Sequence, residues 1–155
     1  FYYNKRVILF FLKTRMKKLI VSIVTSLIFI SCQDKTQEIF DNNLLNGYWE
    51  IEQVTMADGS EKEYKINETV DFFQVKMDSG FRKKVTPQLD GTYLVNDVYE
   101  KFTIKKAKNG TFIHYKTEYA KWKEQIKTLT KDQLILINDQ NIQYQYKHPT
   151  PFTVK

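Results

Sequence analysis

The sequence predicts an all-β domain, a single antiparallel up-and-down β-barrel of about eight to ten strands, preceded by a signal-peptide helix. From Leu44 onward, short runs of alternating apolar and polar residues are broken by turn residues at intervals of about ten. No β–α–β alternation interrupts these runs, and the N-terminal segment differs from them in being basic and then apolar. Sequential antiparallel strands with short turns can close into a barrel, which removes exposed sheet edges.

The excess of positive charge belongs to the N-terminal segment. The chain of 155 residues has 24 basic and 18 acidic residues, but six of the basic ones and none of the acidic ones lie in residues 1–32. Residues 33–155 therefore carry 18 of each sign. Because sequence-independent nucleic-acid binding needs a surplus of Lys and Arg facing phosphates, we expect no nucleic-acid partner. The local clusters at 82–84 and 105–108 are interpreted as solvated strand ends that protect sheet edges.

An export signal begins at Met16. Two lysines follow, and then 13 residues without a charge, Leu19–Ser31, which are the dimensions of a secretory signal. A membrane-spanning helix needs about 20 apolar residues, so residues 16–31 are predicted to be a signal peptide. Residues 1–15 carry a second apolar patch and are predicted to be an extension upstream of the true start, with an unusually long basic region as the alternative.

The single cysteine of the chain, Cys32, follows the apolar run directly and cannot form an internal disulfide. The segment Phe29-Ile30-Ser31-Cys32 resembles the lipobox of bacterial lipoproteins, in which the cysteine is acylated and becomes the new N-terminus. The resemblance implies lipidation of Cys32, with palmitate among its acyl chains, and a membrane as partner. It also implies a place in the bacterial cell envelope, as an outer-membrane lipoprotein on the periplasmic face or at the cell surface. The alternative is an ordinary cleaved secretory peptide with an incidental cysteine.

The strands of the predicted domain follow a polar stretch that reads as a flexible tether, residues 32–43 including the lipidated cysteine. The domain itself is predicted over residues 44–148, with residues 149–155 as a C-terminal tail. In its first half, strands are predicted at Tyr48–Val54, Val70–Met77, Phe81–Val85, Thr92–Val95 and Lys101–Lys106.

In the second half, Asn109-Gly110 gives the strongest hairpin signal of the chain. Further strands are predicted at Thr111–Tyr119, Leu134–Ile137 and Ile142–Lys147. The segment from 119 to 129 fits two structures. Tyr119, Trp122, Ile126 and Leu129 form a helical stripe, whereas Trp122 and Ile126 also share one face of a strand. The absence of helix caps on either side favours a strand.

Alternation along the strands assigns a set of side chains to the inside of the barrel. An eight-stranded barrel is either filled by such side chains or holds one small ligand. These residues are therefore candidates both for the core and for the lining of a ligand site, with core filling favoured for the aromatic ones. The set is Trp49, Ile51, Phe73, Val75, Phe102, Ile104, Tyr115, Tyr144 and Tyr146.

Three segments of the domain resemble one family. Leu45–Ile51, with Gly47-Tyr48-Trp49, resembles the Gly-x-Trp opening of lipocalins, in which the Trp packs across one end of the barrel. Ile126–Leu136 and Tyr144–Lys147 are similar to the late strands of small lipocalin-like domains of bacterial surface lipoproteins. The resemblance implies a small barrel on a tether, with a cavity for an apolar molecule. The arginine that stacks on the Trp in larger secreted lipocalins is not evident here.

Catalytic and metal-binding patterns are sparse. The two histidines, His114 and His148, lie in no metal-ligand spacing, and there is no second cysteine. The chain contains no Gly-x-Ser-x-Gly motif and no phosphate-binding loop. Glu50 and Glu52 alternate with apolar residues as a solvated strand face would. We therefore expect a protein that is not an enzyme and that needs no metal or cofactor.

Two functions remain open at this point. In the first, the barrel of a membrane-anchored lipoprotein binds a small apolar ligand at the cell envelope. In the second, the barrel is filled, and the protein is a non-catalytic accessory or interaction subunit of an envelope protein complex. A pocket of about 300 Å³ or more would favour ligand binding, whereas an exposed apolar patch would favour a protein partner.

Overall fold

The computed structural model describes residues 40–150. In this part of the chain, ten strands form one antiparallel sheet. The strands are β1 (Gly47–Thr55), β2 (Glu61–Glu63), β3 (Val70–Lys76), β4 (Ser79–Pro87), β5 (Tyr93–Val95), β6 (Glu100–Ala107), β7 (Gly110–Lys116), β8 (Lys121–Leu129), β9 (Gln133–Asn138) and β10 (Gln143–Lys147).

Eight of these strands form a closed ring. Their order is β10-β9-β8-β7-β6-β4-β3-β1, and pairing of β10 with β1 closes it. The short strands β2 and β5 lie beside the ring, on β1 and β4. The predicted all-β barrel of eight to ten strands is thus confirmed. The predicted signal-peptide helix, residues 1–15, Cys32 and residues 151–155 of the predicted tail lie outside the described residues.

The ambiguous segment from 119 to 129 is a strand, as the missing caps indicated. A bulge between Ile126 and Thr128 adds one residue to β8. Trp122 and Ile126 face inward by simple alternation, and the bulge turns Leu129 inward as well, since the cross-strand partners of all three are buried. Their spacing of four and then three residues imitates a helix because a bulge breaks the two-residue period of a strand. The missed strand, β2, consists of exposed Glu61, Lys62 and Glu63 and therefore has no apolar pattern.

Strand β1 changes its partner halfway along. It pairs with β3 at Gly47–Trp49 and with β2 at Gln53–Thr55. On its other edge, the pairing with β10 has a register shift between Ile51 and Gln53. Beyond the Trp49–Asp71 pair, β1 and β3 therefore separate. We call this opening in the barrel wall the β1–β3 seam. The Asn67 side chain spans it by donating a hydrogen bond to the Ile51 carbonyl oxygen at 2.8 Å.

A short 3-10 helix, Asn42–Leu45, packs at the end of the barrel where β1 begins. The Asp41 side chain caps it by accepting a hydrogen bond from the Asn43 amide at 3.0 Å. Leu45 is fully buried, and Phe40 packs against the core. This helix closes one end of the barrel, which we call the closed end. It lies partly within the segment that the sequence analysis interpreted as a tether.

The barrel contains its own hydrophobic core. All residues of the core cluster and the partly buried residues around it belong to the stretch of sequence from Phe40 to Tyr146. The last strand of the ring, β10, ends at Lys147. A unit that encloses its own core folds by itself. We therefore expect the chain from Gln33 onward to form the barrel without residues 1–32.

Candidate functional site

The interior of the barrel is divided into an apolar half and a polar half. Near the closed end, the inward side chains are buried and apolar: Val75, Ile104, Ile113, Ile126, Leu129, Leu134 and Leu136. Toward the opposite end, the same strands turn charged side chains inward. The cross-strand pairs that place them are Asp71 with Lys84, Phe73 with Arg82, Arg82 with Glu100 and Ile113 with Glu124. The inner wall therefore changes from apolar to charged along its length.

Arg82 is the centre of the polar half. Its side chain is only 9% exposed, and its Nε donates to Glu100 Oε2 at 2.6 Å. Its Nη1 lies 3.6 Å from Glu124 Oε2, an ion pair too long for a hydrogen bond. The guanidinium also lies 4.5 Å from the centre of the Tyr115 ring, a cation–π contact. Buried charge is therefore balanced by two carboxylates and an aromatic face.

Burial and neighbouring charges shift the pKa values of this cluster. Burial lowers the pKa of Arg82, but its interactions with Tyr115, Asp71 and Glu124 more than offset this, and the pKa lies above its ordinary value. Burial raises the pKa of Glu124, and the charge of Arg82 offsets this only in part. Burial likewise raises the pKa values of Tyr115 and Tyr146 well above their ordinary range. The arginine keeps its charge, whereas Glu124 is closer to protonation than an exposed glutamate.

Polar atoms in this half of the barrel have unused hydrogen-bonding capacity. Among the described residues, Tyr115 Oη and Glu124 Oε2 are buried and have no hydrogen bond of good geometry, although the two groups lie close enough to affect each other's pKa. Thr111 Oγ1 is in the same condition nearer the closed end. Leaving such a group unsatisfied costs about 1–3 kcal/mol. A water molecule or a polar group of a ligand beside Tyr115 and Glu124 would recover that free energy.

The β1–β3 seam opens into a cleft of about 350 Å³. Trp49 and Ile51 form its apolar wall, with Tyr64 and Ile66 of the loop after β2. Its polar side includes Asp71, which is 3% exposed and accepts a hydrogen bond from Lys84 Nζ at 2.8 Å. The cleft therefore leads from solvent to a buried carboxylate at the edge of the Arg82 cluster.

The structure places the sequence-predicted residues in or against the barrel core. Seven are buried: Trp49, Phe73, Val75, Phe102, Ile104, Tyr115 and Tyr146. Ile51 and Tyr144 are half-buried and pack against them. Ring contacts join several of these side chains, with centroids 6.0 Å apart for Phe73 and Phe102 and 5.9 Å for Phe102 and Tyr115. Of the nine, Trp49 and Ile51 line the cleft.

The charged residues of the interior were missed by the sequence reasoning. Asp71, Arg82, Glu100 and Glu124 carry the chemistry of the polar half, yet charged residues are usually assigned to the surface. A signal was present, since Asp71, Glu100 and Glu124 each stand two residues before an inward apolar residue. Strict alternation along the strand would have placed all three inside.

Within residues 40–150, the structure contains neither a metal-binding cluster nor a membrane-spanning helix. No group of three or more His, Cys, Asp or Glu side chains is arranged to hold a metal ion in this part of the chain. Nor does any helix there have the length and apolar character needed to cross a membrane.

Comparison with known proteins agrees with the architecture. Residues 45–136 match the family described as the lipocalin-like domain. Among solved structures, a lipocalin-like protein from Bacteroides uniformis has 13% sequence identity and a TM-score of 0.45, with 68% of this chain and 99% of that chain covered. An uncharacterized protein from Bacteroides eggerthii has 12% identity and a TM-score of 0.44, with the same coverage. A search of curated proteins found no match. Because the family match covers more than half of this chain, the chain belongs to the lipocalin-like domain family.

Proposed function

We propose that this protein is a membrane-anchored lipoprotein whose barrel binds a small, largely apolar ligand with one polar group. The cleft at the β1–β3 seam is the observation that carries the proposal, because it joins an apolar wall to the buried carboxylate of Asp71. The unsatisfied Tyr115 hydroxyl and Glu124 oxygen lie farther inside. Lipocalin-like domains are typically non-catalytic, which supports binding and not catalysis.

The ligand's polar group has a defined chemistry. Glu124 Oε2 accepts hydrogen bonds when it is ionised, and the Tyr115 hydroxyl donates or accepts. Asp71 and Lys84 at the mouth of the cleft present both signs of charge. A hydroxyl or amide fits these groups better than a fully charged head, since a net charge would need its own buried counter-ion.

Native mass spectrometry of the chain from Gln33 to Lys155 tests ligand binding. For this test, the expression host exports the protein to its cell envelope, from which it is purified. We expect the spectrum to show a bound small molecule. We also expect this molecule to displace an apolar fluorescent probe from the protein. Ile51→Trp should fill the cleft and weaken probe binding at least tenfold. Tyr119→Trp, at an exposed turn position that does not line the cleft, should leave binding unchanged. A wild-type chain that carries nothing and binds no probe would overturn the ligand proposal.

The anchor is proposed to be the acylated Cys32, within the bacterial envelope and most simply in its outer membrane. Its support is the order of charge, apolar run and cysteine in residues 16–32. Stable anchoring takes two lipid chains or one chain with a second signal. Metabolic labelling with an alkyne fatty acid should label the wild type and not Cys32→Ala, which should leave the membrane fraction. Labelling of the Ala variant would contradict the assignment.

An accessory role in an envelope complex is a second candidate, favoured by exposed apolar residues on and near β5. These residues are Leu89, Leu94, Val95 and Val98. On native gels, Leu94→Arg with Val98→Arg should release the protein from a discrete complex without changing its thermal stability. A protein that migrates alone before substitution would exclude this role.

A further inference from the structure

Three lysines stand in direct register on the outside of the barrel. Lys101 on β6 is paired with Lys116 on β7, and Lys116 is paired with Lys121 on β8. All three are exposed, and within residues 40–150 none of them forms an ion pair. Like charges directly opposite each other destabilise a sheet. Apart from a cation–π contact of Lys101 with the Tyr99 ring at 5.8 Å, nothing shown within residues 40–150 offsets the repulsion within this lysine row.

The surface around the lysine row is also basic. In the next row, Thr103 is paired with His114, and His114 with Lys123. Burial lowers the pKa of His114, as do the charges of Lys105 and Lys123, while Asp139 acts in the opposite direction. Lys123 is ion-paired with Asp139 at 3.7 Å. The excess of positive charge on the outer face of β6–β8 therefore comes from the lysine row and Lys105, although residues 33–155 are formally neutral.

A shallow depression of about 640 Å³ crosses this face. Lys76, Lys101, His114 and Lys116 surround it, and Phe81 forms part of its floor. The depression offers room for several anionic groups beside an apolar surface. A flat or shallow basic face of this kind suits an extended anionic surface better than a single small anion.

The described chain begins at the edge of the same face. Asn42 donates hydrogen bonds to the Met77 carbonyl oxygen at 3.1 Å and to Asp78 Oδ1 at 2.8 Å. The Asp78 carbonyl in turn accepts from the Ile104 amide of β6 at 2.7 Å. The ten residues after Cys32, which end at Asn42, span at most about 35 Å. An anchor at Cys32 would therefore hold this face within reach of the membrane.

The turn beside Asn42 presents an apolar tip. The Met77 side chain is 80% exposed, and its backbone has a φ of 59°. This left-handed conformation is unfavourable for a residue other than Gly, Asn or Asp. An exposed methionine in a strained turn has no evident role in the barrel core. At a bilayer surface, however, it would enter the boundary between headgroups and acyl chains.

We propose that the lysine row and the Met77 turn form a docking surface for an anionic lipid bilayer, on which the barrel lies on its side. Anionic headgroups would neutralise the three opposed lysines, and each basic residue near such a surface adds about fivefold to the affinity. The anchor of the proposed function would supply the second membrane signal, which stable attachment requires. Docking itself needs neither acylation nor the barrel ligand.

Vesicle co-sedimentation of the anchor-free chain, residues 33–155, tests the proposal. We expect binding to phosphatidylcholine vesicles that contain phosphatidylglycerol, little binding to phosphatidylcholine alone, and loss of binding at high salt. The variant K101Q/K116Q/K121Q should bind about 100-fold more weakly. A matched variant of three exposed lysines elsewhere, K62Q/K65Q/K131Q, should weaken vesicle binding by at most a few-fold. Met77→Ser should weaken binding severalfold without removing its dependence on anionic lipid.

Thermal unfolding separates docking from folding. Because the three lysines repel one another, K101Q/K116Q/K121Q should be at least as stable as the wild type. Equal binding to neutral and anionic vesicles would overturn the proposal, as would equal losses in the two triple variants. Binding to an anionic polysaccharide or to DNA without binding to vesicles would also overturn it. None of these results depends on acylation or on a barrel ligand, so the proposed function can fail separately.

Discussion

The imidazole ring of His148 stacks on the indole ring of Trp49, with centroids 4.1 Å apart and planes 30° apart. Trp49 is fully buried, and its Nε1 donates to the Leu45 carbonyl oxygen at 2.9 Å. His148 Nδ1 lies 2.8 Å from the Tyr48 carbonyl oxygen, and Nε2 lies 2.9 Å from that of Lys131. This histidine therefore covers the tryptophan at the closed end.

Replacing His148 should loosen the closed end. His148→Ala removes the stacked ring and both backbone contacts, and it should lower the free energy of unfolding by about 1–2 kcal/mol. His148→Phe keeps a ring over Trp49 without the polar contacts and should lose less. With Trp122→Phe as background, Trp49 is the only tryptophan, so its emission should shift to longer wavelength in His148→Ala. His114→Ala is the control, and an equal shift there would contradict the assignment.

Removing the Arg82 charge should be strongly destabilising. Arg82→Met leaves Glu100 and Glu124 without their buried cation, and breaking a buried pair in this way costs about 3–5 kcal/mol. Adding Glu100→Gln and Glu124→Gln should restore a large part of the loss in urea unfolding, because no uncompensated charge then remains. Lys83→Met, at the neighbouring outward position, should cost much less. Failure of the Gln substitutions to rescue would show that packing and not charge dominates.

Glu124 should make stability depend on pH. Because its folded-state pKa is raised, the folded protein binds this proton more tightly than the unfolded chain does. The wild type should therefore lose stability relative to Glu124→Gln as pH rises from about 4 through the raised pKa. Urea unfolding of both proteins across that range measures the difference. Gln125→Ala, which removes no ionisable group, should give a difference that does not change with pH. If Glu124→Gln instead lost stability relative to the wild type as pH rises, the assignment would be refuted.

Gly80 should tolerate no larger residue. A Cβ at this position would meet the Gln74 carbonyl oxygen and would lie 2.7 Å from Phe102 Cζ. Gly80→Ala should therefore lower the free energy of unfolding by about 1–3 kcal/mol, whereas Ser79→Ala at the exposed neighbour should change it little. Phe102→Leu should recover part of the loss in the double variant. Unchanged stability of Gly80→Ala would mean that the two strands move apart freely.

Simple alternation predicted the strands because most of them obey it. Phe73 and Val75, or Phe102 and Ile104, are two residues apart, and each pair is buried. The rule fails where a bulge adds a residue, as it does before Leu129. It also gives no information about partners, so the β1–β3 seam, which depends on β1 exchanging β3 for β2, could not be predicted from the sequence.

The charged features required knowledge of register. Arg82 and Glu124 are distant in sequence, and only the order of β4, β6, β7 and β8 around the ring brings them together. The lysine row is similar, because its members become neighbours only through pairing across three strands. Net charge summed along the chain conceals both a buried cation and a one-sided basic surface.

The closure of β10 onto β1 has a consequence for protein engineering. Glu50 is paired with Lys147, and His148 contacts the Tyr48 carbonyl oxygen, so the two chain ends of the barrel meet on adjacent strands. A short linker could join them, and new ends could be cut at the Asn109-Gly110 hairpin, as circular permutation succeeds where termini are close and loops exposed. The ring then has no obligatory first strand, and a permuted barrel would carry both of its new termini toward the closed end, where the Asn109-Gly110 hairpin lies.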